Sequence, residues 1–189
     1  MSKPTIYFIT TNEFKFKSFM DAIKLDSYIV KRLAIETPEI QADNNRAVAE
    51  YSAKWAAEEK QCPVITEDVG LYIQALSGFP GPFLSQAEKQ LGAEGFLALL
   101  SDKDERDAYW EYAVAYCEPG SEPVSFHAIQ KGRITKEQIG TVGWPMGKIF
   151  VQDNQIETIS VLLEKESYVR DNDHYVQLRE YLSAKSYKA

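Results

Sequence analysis

Cysteine, histidine and long apolar runs are scarce in this chain. Only two of its 189 residues are cysteines and two are histidines. Two cysteines provide neither a disulfide framework nor the spacing of a zinc site, so we expect a protein of the reducing cytoplasm. No apolar run approaches the length of a transmembrane helix, and the one that begins at Thr5 is too short for a signal peptide. We therefore expect no membrane partner.

Basic residues are also in deficit. Lys and Arg number 21 against 28 Asp and Glu, which gives a formal net charge of −7 and a pI of about 5.0. A non-specific duplex-binding protein needs a basic face, so no nucleic-acid partner is expected, although a small anionic ligand stays open. With 44% hydrophobic and 26% charged residues the composition is globular, and we expect one domain over residues 1–189.

Short β-branched and aromatic runs alternate with segments of helical spacing. The first run, residues 5–10, is followed by Asn12 as a helix N-cap and by apolar residues at helical intervals as far as Ile23. Further strands are predicted over 28–33, 63–66, 108–117 and 124–134, and further helices over 44–60, 95–100 and 171–186. The alternation predicts an α/β fold, and the two long strands joined by a turn predict that part of the sheet is antiparallel.

The first candidate site lies where the first strand passes into the first helix. Free backbone N–H groups at a helix N-terminus, together with the positive end of the helix dipole, favour an anion there. Lys15 adds a full charge in the first turn, and Thr10 and Asn12 offer polar groups to phosphate oxygens. The alternative is an ordinary capped helix with a solvated lysine, and this segment by itself does not separate the two.

The second candidate is the acidic pair Glu67-Asp68, which we expect at the end of a short apolar strand. Adjacent carboxylates are costly to bury unless they are paired or hold a cation. Their oxygens suit Mg²⁺, which binds carboxylates, water and phosphates, and one of them can serve as a general base. The alternative is a surface acidic pair at the junction of a strand and a loop.

Three further segments are candidates for shaping a ligand site. Gly and Pro are dense over residues 76–83, which predicts an unusual loop that ends at Phe83. Trp144 lies in a Gly-flanked loop, where its ring can either stack on a base or plug the edge of the core. His174 stands near the start of the last helix, where a lone histidine is more often structural than catalytic. No Ser/His/Asp set is assignable from spacing.

Taken in order, these segments resemble the inosine triphosphate pyrophosphatase family, whose members hydrolyse deaminated purine nucleoside triphosphates. Three patterns of that family are present, and the second and third at their mutual spacing are highly specific. A segment over 132–134, and another over 38–41 followed by Asp43, also resemble the family, so the likeness runs over most of the chain. The matches are Thr10, Asn12 and Lys15 for T-x-N-x-x-K, then Glu67, Asp68, Gly70 and Leu71 for E-D-x-G-L, then Ala75, Leu76, Gly78, Pro80, Gly81 and Pro82 for A-L-x-G-x-P-G-P.

The departures from the family lie in the C-terminal half. Where the family reads G-W-D at its base-binding loop, this chain reads Gly143-Trp144-Pro145 and lacks the carboxylate. Where the family reads S-H-R, this chain reads Asp173-His174-Tyr175 and keeps only the histidine. A family lysine just before that histidine has no clear match, and Lys165 or Arg170 is the candidate substitute. The changes affect the part that reads the base rather than the part that holds phosphates and metal.

The resemblance implies both a fold and a chemistry. The fold is a long curved mixed sheet with helices forming two lobes around a central groove, and the protein is a homodimer. The chemistry is Mg²⁺-assisted hydrolysis between the α- and β-phosphates, which yields a nucleoside monophosphate and pyrophosphate. The implied roles are triphosphate binding by Thr10, Asn12 and Lys15, metal binding by Asp43, Asp68 and Glu67, water activation by Asp68 or Glu67, and contacts to the rest of the substrate by Trp144, Phe83 and His174.

Two other functions stay open. The changed positions Pro145 and Tyr175 favour a pyrophosphatase for a different modified nucleotide, a pyrimidine included. The other possibility is a nucleotide-binding protein without turnover, acting as a sensor or an interaction subunit. The presence of both acidic residues and of Lys15 argues against it, because a binding module has no need of a general base.

Overall fold

A computed structural model describes residues 3–38 and 40–186 of the chain. Within them the strands are β1 (Thr5–Ile9), β2 (Ile29–Leu33), β3 (Val64–Ile73), β4 (Pro80–Gly81), β5 (Asp107–Cys117), β6 (Val124–Ile134) and β7 (Phe150–Gln152). The helices are α1 (Glu13–Ala22), α2 (Asn45–Lys60), α3 (Leu84–Leu99), α4 (Ile159–Glu164) and α5 (Asp173–Ser186). Each predicted strand and helix therefore has a counterpart, with ends shifted by a few residues except for β3 and for α3, which begins well before the predicted 95–100.

The strands form one open mixed sheet in the order β2-β1-β3-β5-β6-β7, with β4 paired to β3. β1 runs parallel to β2 and to β3, whereas the β3–β4 and β6–β7 pairs are antiparallel. The predicted α/β class with a mixed sheet is confirmed, and the two long strands β5 and β6 are neighbours as expected. None of the helices in the described ranges has both the length and the apolar character needed to cross a membrane.

The chain divides into two compact units. The first unit comprises Met1–Asp68, Tyr112–Ala128 and Asn172–Ala189, and the second comprises Val69–Glu111 and Ile129–Asp171. The boundaries fall inside β3, β5 and β6, so each of these strands contributes residues to both units. Most of the phosphate-binding and acidic residues that the sequence singles out belong to the first unit.

The core of the first unit lies on both faces of its strands. On one face, α1 and α5 pack onto β1, β3 and β5 through an aromatic-rich cluster that includes Phe8, Phe19, Ile65 and Tyr175. On the other face, four buried alanines of α2 pack with Val64 and with small residues of β5. Alternate residues of β3 therefore face opposite clusters, as the pleat of an extended strand requires.

β3 is longer than the sequence predicts. The prediction places a strand over 63–66 that ends at the acidic pair, whereas β3 continues to Ile73. Its second half lies within the sheet: it pairs with β4, with Leu71 opposite Gly81 and Tyr72 opposite Pro80, and β5 is a further hydrogen-bonded neighbour of the strand. The acidic pair therefore lies inside a strand and not at its end, which changes what the two carboxylates can reach.

Helix α5 is held by a charged cluster near its C-terminal end. Lys185 Nζ lies 2.9 Å from Glu118 Oε2 and 5.3 Å above the ring of Tyr116. The Tyr116 hydroxyl donates a hydrogen bond to Glu118 Oε1 at 2.6 Å. Burial alone would raise the pKa of Glu118, but the hydrogen bonds from Tyr116 and Lys185 outweigh burial and leave the pKa below its usual value. Since α5 also carries His174, this cluster helps to hold a candidate site residue.

We expect Glu118→Gln to destabilise the protein at pH 7 by at most about 1 kcal/mol, or roughly 2–4 °C in Tm, because the ion pair is partly exposed. A lowered carboxyl pKa contributes stability above the pKa of the unfolded chain, and that contribution is lost as the pH falls through the folded pKa. The Tm difference from the wild type should therefore shrink as the pH falls below the usual glutamate pKa of about 4.3. Thermal melts from pH 7 to pH 3.5 measure it, with Glu180→Gln on the exposed face of α5 as the control. A difference that does not shrink from pH 7 to pH 3.5 would show that the charge of Glu118 is not its source.

Candidate functional site

The turn between β1 and α1 is a side-chain-capped helix start. Asn12 Oδ1 accepts hydrogen bonds from the backbone N–H groups of Phe14, at 2.9 Å, and of Lys15, at 3.3 Å. Thr10 Oγ1 accepts from the backbone N–H of Asn12 at 3.1 Å. The predicted N-cap is confirmed. The turn therefore places Thr10, Asn12 and Lys15 together at the N-terminus of α1.

Lys15 connects this turn to β3. Its Nζ donates to the backbone carbonyl of Glu67 at 3.3 Å, and the side chain is only partly buried. The structure thus brings together two segments that lie 52 residues apart and that the sequence predicts to hold phosphate and metal. An ammonium group beside the strand that carries the acidic pair can neutralise the charge of a polyphosphate placed there.

The carboxylate of Glu67 points to α5. Its Oε1 accepts a hydrogen bond from the Tyr175 hydroxyl at 2.8 Å and lies 3.4 Å from His174 Nε2. The side chains of Glu67 and His174 have no exposed surface, and Tyr175 is fully buried. The Tyr112 ring stacks on His174 with 5.5 Å between ring centroids and 14° between planes. Glu67 is therefore the acceptor of a buried polar cluster among aromatic rings.

The carboxylate of Asp68 points to α2. Its Oδ2 accepts a hydrogen bond from Asn45 Nδ2 at 2.5 Å. Two residues earlier, the Thr66 hydroxyl donates to the carbonyl of Ala49, also on α2, at 2.8 Å. Thr66 and Asp68 thus share one face of β3, and Glu67 lies on the other. The sequence treats the two carboxylates as one pair, but an extended strand separates neighbouring side chains, and the structure does not bring them together.

Of the three residues predicted to bind Mg²⁺, two lie at the same end of α2. Asp43 is exposed and stands two residues before Asn45, so it lies at the same end of α2 as Asp68. Glu39, the acidic residue of the 38–41 segment, lies outside the described residues. Among the described residues no three His, Cys, Asp or Glu side chains form a ready-made metal cluster. The hard oxygens of Asp68 and Asp43 fit Mg²⁺. Glu67, the third predicted ligand, has its carboxylate buried and turned to α5.

Trp144 and Phe83 belong to the second unit. Trp144 packs edge-on against Trp110 and Tyr168, with ring centroids 6.3 and 6.4 Å apart, and its side chain is half-buried. Glu88 of α3 holds the same loop, because its Oε1 accepts a hydrogen bond from the backbone N–H of Met146 at 3.1 Å. Burial raises the pKa of Glu88. Phe83 immediately precedes α3 and is 44% exposed. Their predicted substrate contacts stay predictions.

Two departures from the family lie at or just before α5: the changed S-H-R motif and the family lysine that has no clear match. Tyr175 is fully buried, and its ring meets Phe19 edge-on with 5.1 Å between ring centroids. Its hydroxyl is bonded to Glu67 and is therefore not placed to read a base. His174 has no exposed side-chain surface either. Of the two candidate substitutes for the family lysine, Lys165 forms an exposed ion pair with Glu157 at 2.6 Å, and Arg170 is half-buried.

Sequence reasoning missed three residues that organise this site. Asn45 is fully buried and bonds Asp68; the available signal was a second asparagine directly after the N-cap Asn44, one more than a cap needs. Arg32 holds the β1–α1 turn through Glu13, at 2.8 Å, and through the Thr11 carbonyl, at 3.5 Å. Tyr112, which stacks on His174, carries no signal of its own in a strand rich in aromatic residues.

The comparisons with known proteins agree with these motifs. The model of the Ham1 family matches residues 6–168. The chain is 36% identical to a dITP/XTP pyrophosphatase of Methanopyrus kandleri over 83% of its length and 84% of that protein, and 32% identical to one of Thermococcus kodakarensis over 84% and 85%. The matched region of the family model ends before His174.

Solved structures of Ham1 proteins share the fold. The Staphylococcus aureus Ham1 protein superposes with a TM-score of 0.80 at 21% identity, covering 96% of this chain and 99% of that one. A HAM1 protein of Coxiella burnetii gives a TM-score of 0.78 at 23% identity, covering 98% and 100%. At this level of identity the likeness establishes the architecture.

Proposed function

This chain belongs to the Ham1 family, and we propose that it hydrolyses deaminated purine nucleoside triphosphates such as ITP, dITP and XTP to the monophosphate and pyrophosphate. The observation that carries the proposal is the 36% identity to a dITP/XTP pyrophosphatase over most of both chains. The convergence of Lys15 and Asp68 on the same part of β3 supports it, since these are the residue types that such chemistry requires.

The proposed reaction is an attack of water on the α-phosphorus. Asp68 accepts a proton from the water, the new P–O bond forms, and the bond between the α-phosphorus and the bridging oxygen breaks, so that pyrophosphate leaves. Lys15, with Thr10 and Asn12 at the start of α1, binds phosphate oxygens and stabilises the charge that develops on them. Asp68 and Asp43 would hold Mg²⁺, which when bound neutralises phosphate charge.

The proposal is tested by the products and by the position of solvent oxygen. Purified protein with Mg²⁺ is expected to release one pyrophosphate per ITP or XTP consumed, without direct release of orthophosphate. In water enriched in oxygen-18, the label should enter the nucleoside monophosphate and not the pyrophosphate. Asp68→Asn protein prepared in parallel controls for contaminating phosphatases. Stepwise orthophosphate release, or label in the pyrophosphate, would contradict the assigned reaction.

Two observations, at the positions where the family reads the base, favour a weaker discrimination between bases. Pro145 carries neither a charge nor a backbone N–H, and the Tyr175 hydroxyl is occupied by Glu67. A site that hydrogen-bonds a base edge rejects the wrong base strongly, whereas stacking alone does not. We therefore expect ITP and XTP to be accepted with leakage to other nucleotides. An efficiency ratio of several thousandfold for ITP over ATP and GTP would show that other residues read the edge.

The proposal also includes a homodimer in the cytoplasm with no nucleic-acid or membrane partner. The family resemblance supports the homodimer, and the two free cysteines are compatible with a reducing compartment. The net charge of −7 argues against a nucleic-acid partner. Light scattering on the purified chain should give about twice the 21.5 kDa chain mass.

A further inference from the structure

Two consecutive residues of β3 are held from three directions. On the α5 face, the buried Glu67 carboxylate accepts from Tyr175 at 2.8 Å and lies 3.4 Å from His174. On the α2 face, Asp68 accepts from Asn45. In the strand itself, the Glu67 carbonyl accepts from Lys15 of α1 at 3.3 Å. The side chain of Glu67 thus anchors the same short stretch of strand that presents Asp68 and the carbonyl to which Lys15 is bonded.

We propose that Glu67 is a positioning residue and not a metal ligand or a general base. Its carboxylate contacts Tyr175 and His174 and so holds in place the segment of β3 that orients Asp68 and bonds Lys15. The inference rests on the proposed function for its activity readouts, since it deepens the description of that site. It assigns the acidic pair two different tasks, with the chemistry on the α2 face of the strand and the anchor on the α5 face.

The physical reason is the cost of a buried charge. A carboxylate without exposed surface is tolerated only where hydrogen bonds replace its water, and hydrogen bonds to a charged group are stronger than neutral ones. Rotating the Glu67 residue out of place would break those bonds, so they oppose any twist of β3 at this point. Because a small misplacement of a catalytic group costs much in rate, an anchor one residue from Asp68 affects turnover without touching substrate.

Tyr175 gives the sharpest variant, because it lies outside the predicted metal and phosphate groups. We expect Tyr175→Phe and Glu67→Gln each to lower kcat on ITP by roughly 3- to 30-fold, with a smaller change in KM. The half-saturating Mg²⁺ concentration should stay within about twofold of the wild type in both, because neither residue contacts the ion. The double variant should lose little more than the worse single one, because Tyr175→Phe removes the hydrogen bond that Glu67→Gln weakens by removing the charge of its acceptor.

The matched control is Tyr181→Phe, which also removes a tyrosine hydroxyl from α5. The Tyr181 ring packs against Tyr116 and Phe126, away from Glu67. This variant should leave kcat unchanged. A rise of about tenfold or more in half-saturating Mg²⁺ for Glu67→Gln, not reproduced by Tyr175→Phe, would overturn the proposal and make Glu67 a metal ligand. Full activity in both Glu67→Gln and Tyr175→Phe would also overturn it.

A readout without nucleotide separates this inference from the proposed function. Amide hydrogen exchange in the peptide covering β3 around Asp68 should become faster in Tyr175→Phe and in Glu67→Gln, and not in Tyr181→Phe. If the wild type turns over no nucleotide while exchange still responds in this way, the proposed function fails and the anchor stands. If exchange does not respond, the anchor fails whether or not the protein is an enzyme.

Discussion

Asp68→Asn is expected to lower turnover of ITP by roughly a hundredfold or more, the scale typical of losing a general base. Asparagine has the same size as aspartate, but it neither accepts the proton of water nor carries the charge that we propose holds Mg²⁺. The half-saturating Mg²⁺ concentration should therefore rise together with the fall in kcat. Steady-state rates of pyrophosphate release at several Mg²⁺ concentrations measure both effects.

The fold should survive this substitution, which makes the experiment decisive. The amide oxygen of the introduced asparagine can still accept the hydrogen bond that Asn45 donates to Asp68 in the wild type. Thermal denaturation should therefore shift little, and Asp107→Asn at the exposed start of β5 serves as a control for loss of a carboxylate elsewhere. Near-normal turnover by a folded Asp68→Asn protein would show that the base lies at another residue.

Lys15→Ala is expected to lower kcat/KM by roughly 10- to 100-fold, with the loss divided between a higher KM and a lower kcat. A lysine ammonium group beside the phosphates stabilises the bound substrate and, more strongly, the transition state, so both KM and kcat respond. The substitution also removes the hydrogen bond to the Glu67 carbonyl. Initial rates over a range of ITP concentrations at saturating Mg²⁺ separate the two constants.

Lys17→Ala is the matched control for Lys15→Ala. Lys17 is an exposed lysine two residues along the same helix, and residues two apart on a helix do not share a face. Its loss changes the net charge equally but should leave both kinetic constants close to those of the wild type. If the two variants behave alike, the effect of Lys15 is one of overall charge and not of a placed ammonium group.

Lys15, Asp68 and Glu67 lie close together but are expected to have different tasks. In the proposed function Lys15 acts on the phosphates and Asp68 acts on water and metal, and in the proposed anchor Glu67 holds the strand between them. The kinetic signatures differ accordingly, because only Asp68→Asn should change the Mg²⁺ dependence. A single series of variants, assayed over nucleotide and Mg²⁺ concentrations, therefore distinguishes the three tasks.

Local patterns in the sequence predicted much of the architecture. The β-branched run before Asn12, the Asn12 cap and the alanine-rich helix over 44–60 all appear with nearly the predicted bounds. These features are determined by nearest neighbours along the chain, where capping, side-chain volume and periodicity act. The end of β3 was not predictable in this way. Past the acidic pair, β3 belongs to a sheet with β4 and β5, and both of these strands come from residues later in the chain.

The sequence by itself determined the set of chemical groups in this protein: a lysine at a helix start, an acidic pair after an apolar run and an aromatic residue in a glycine-flanked loop. Only the tertiary structure decided how the acidic pair is divided. A strand directs neighbouring side chains to opposite faces, and the helix that packs on each face then selects the partner, Asn45 for Asp68 and Tyr175 for Glu67. Packing against distant segments sets those partners, and no pattern within the pair itself contains that information.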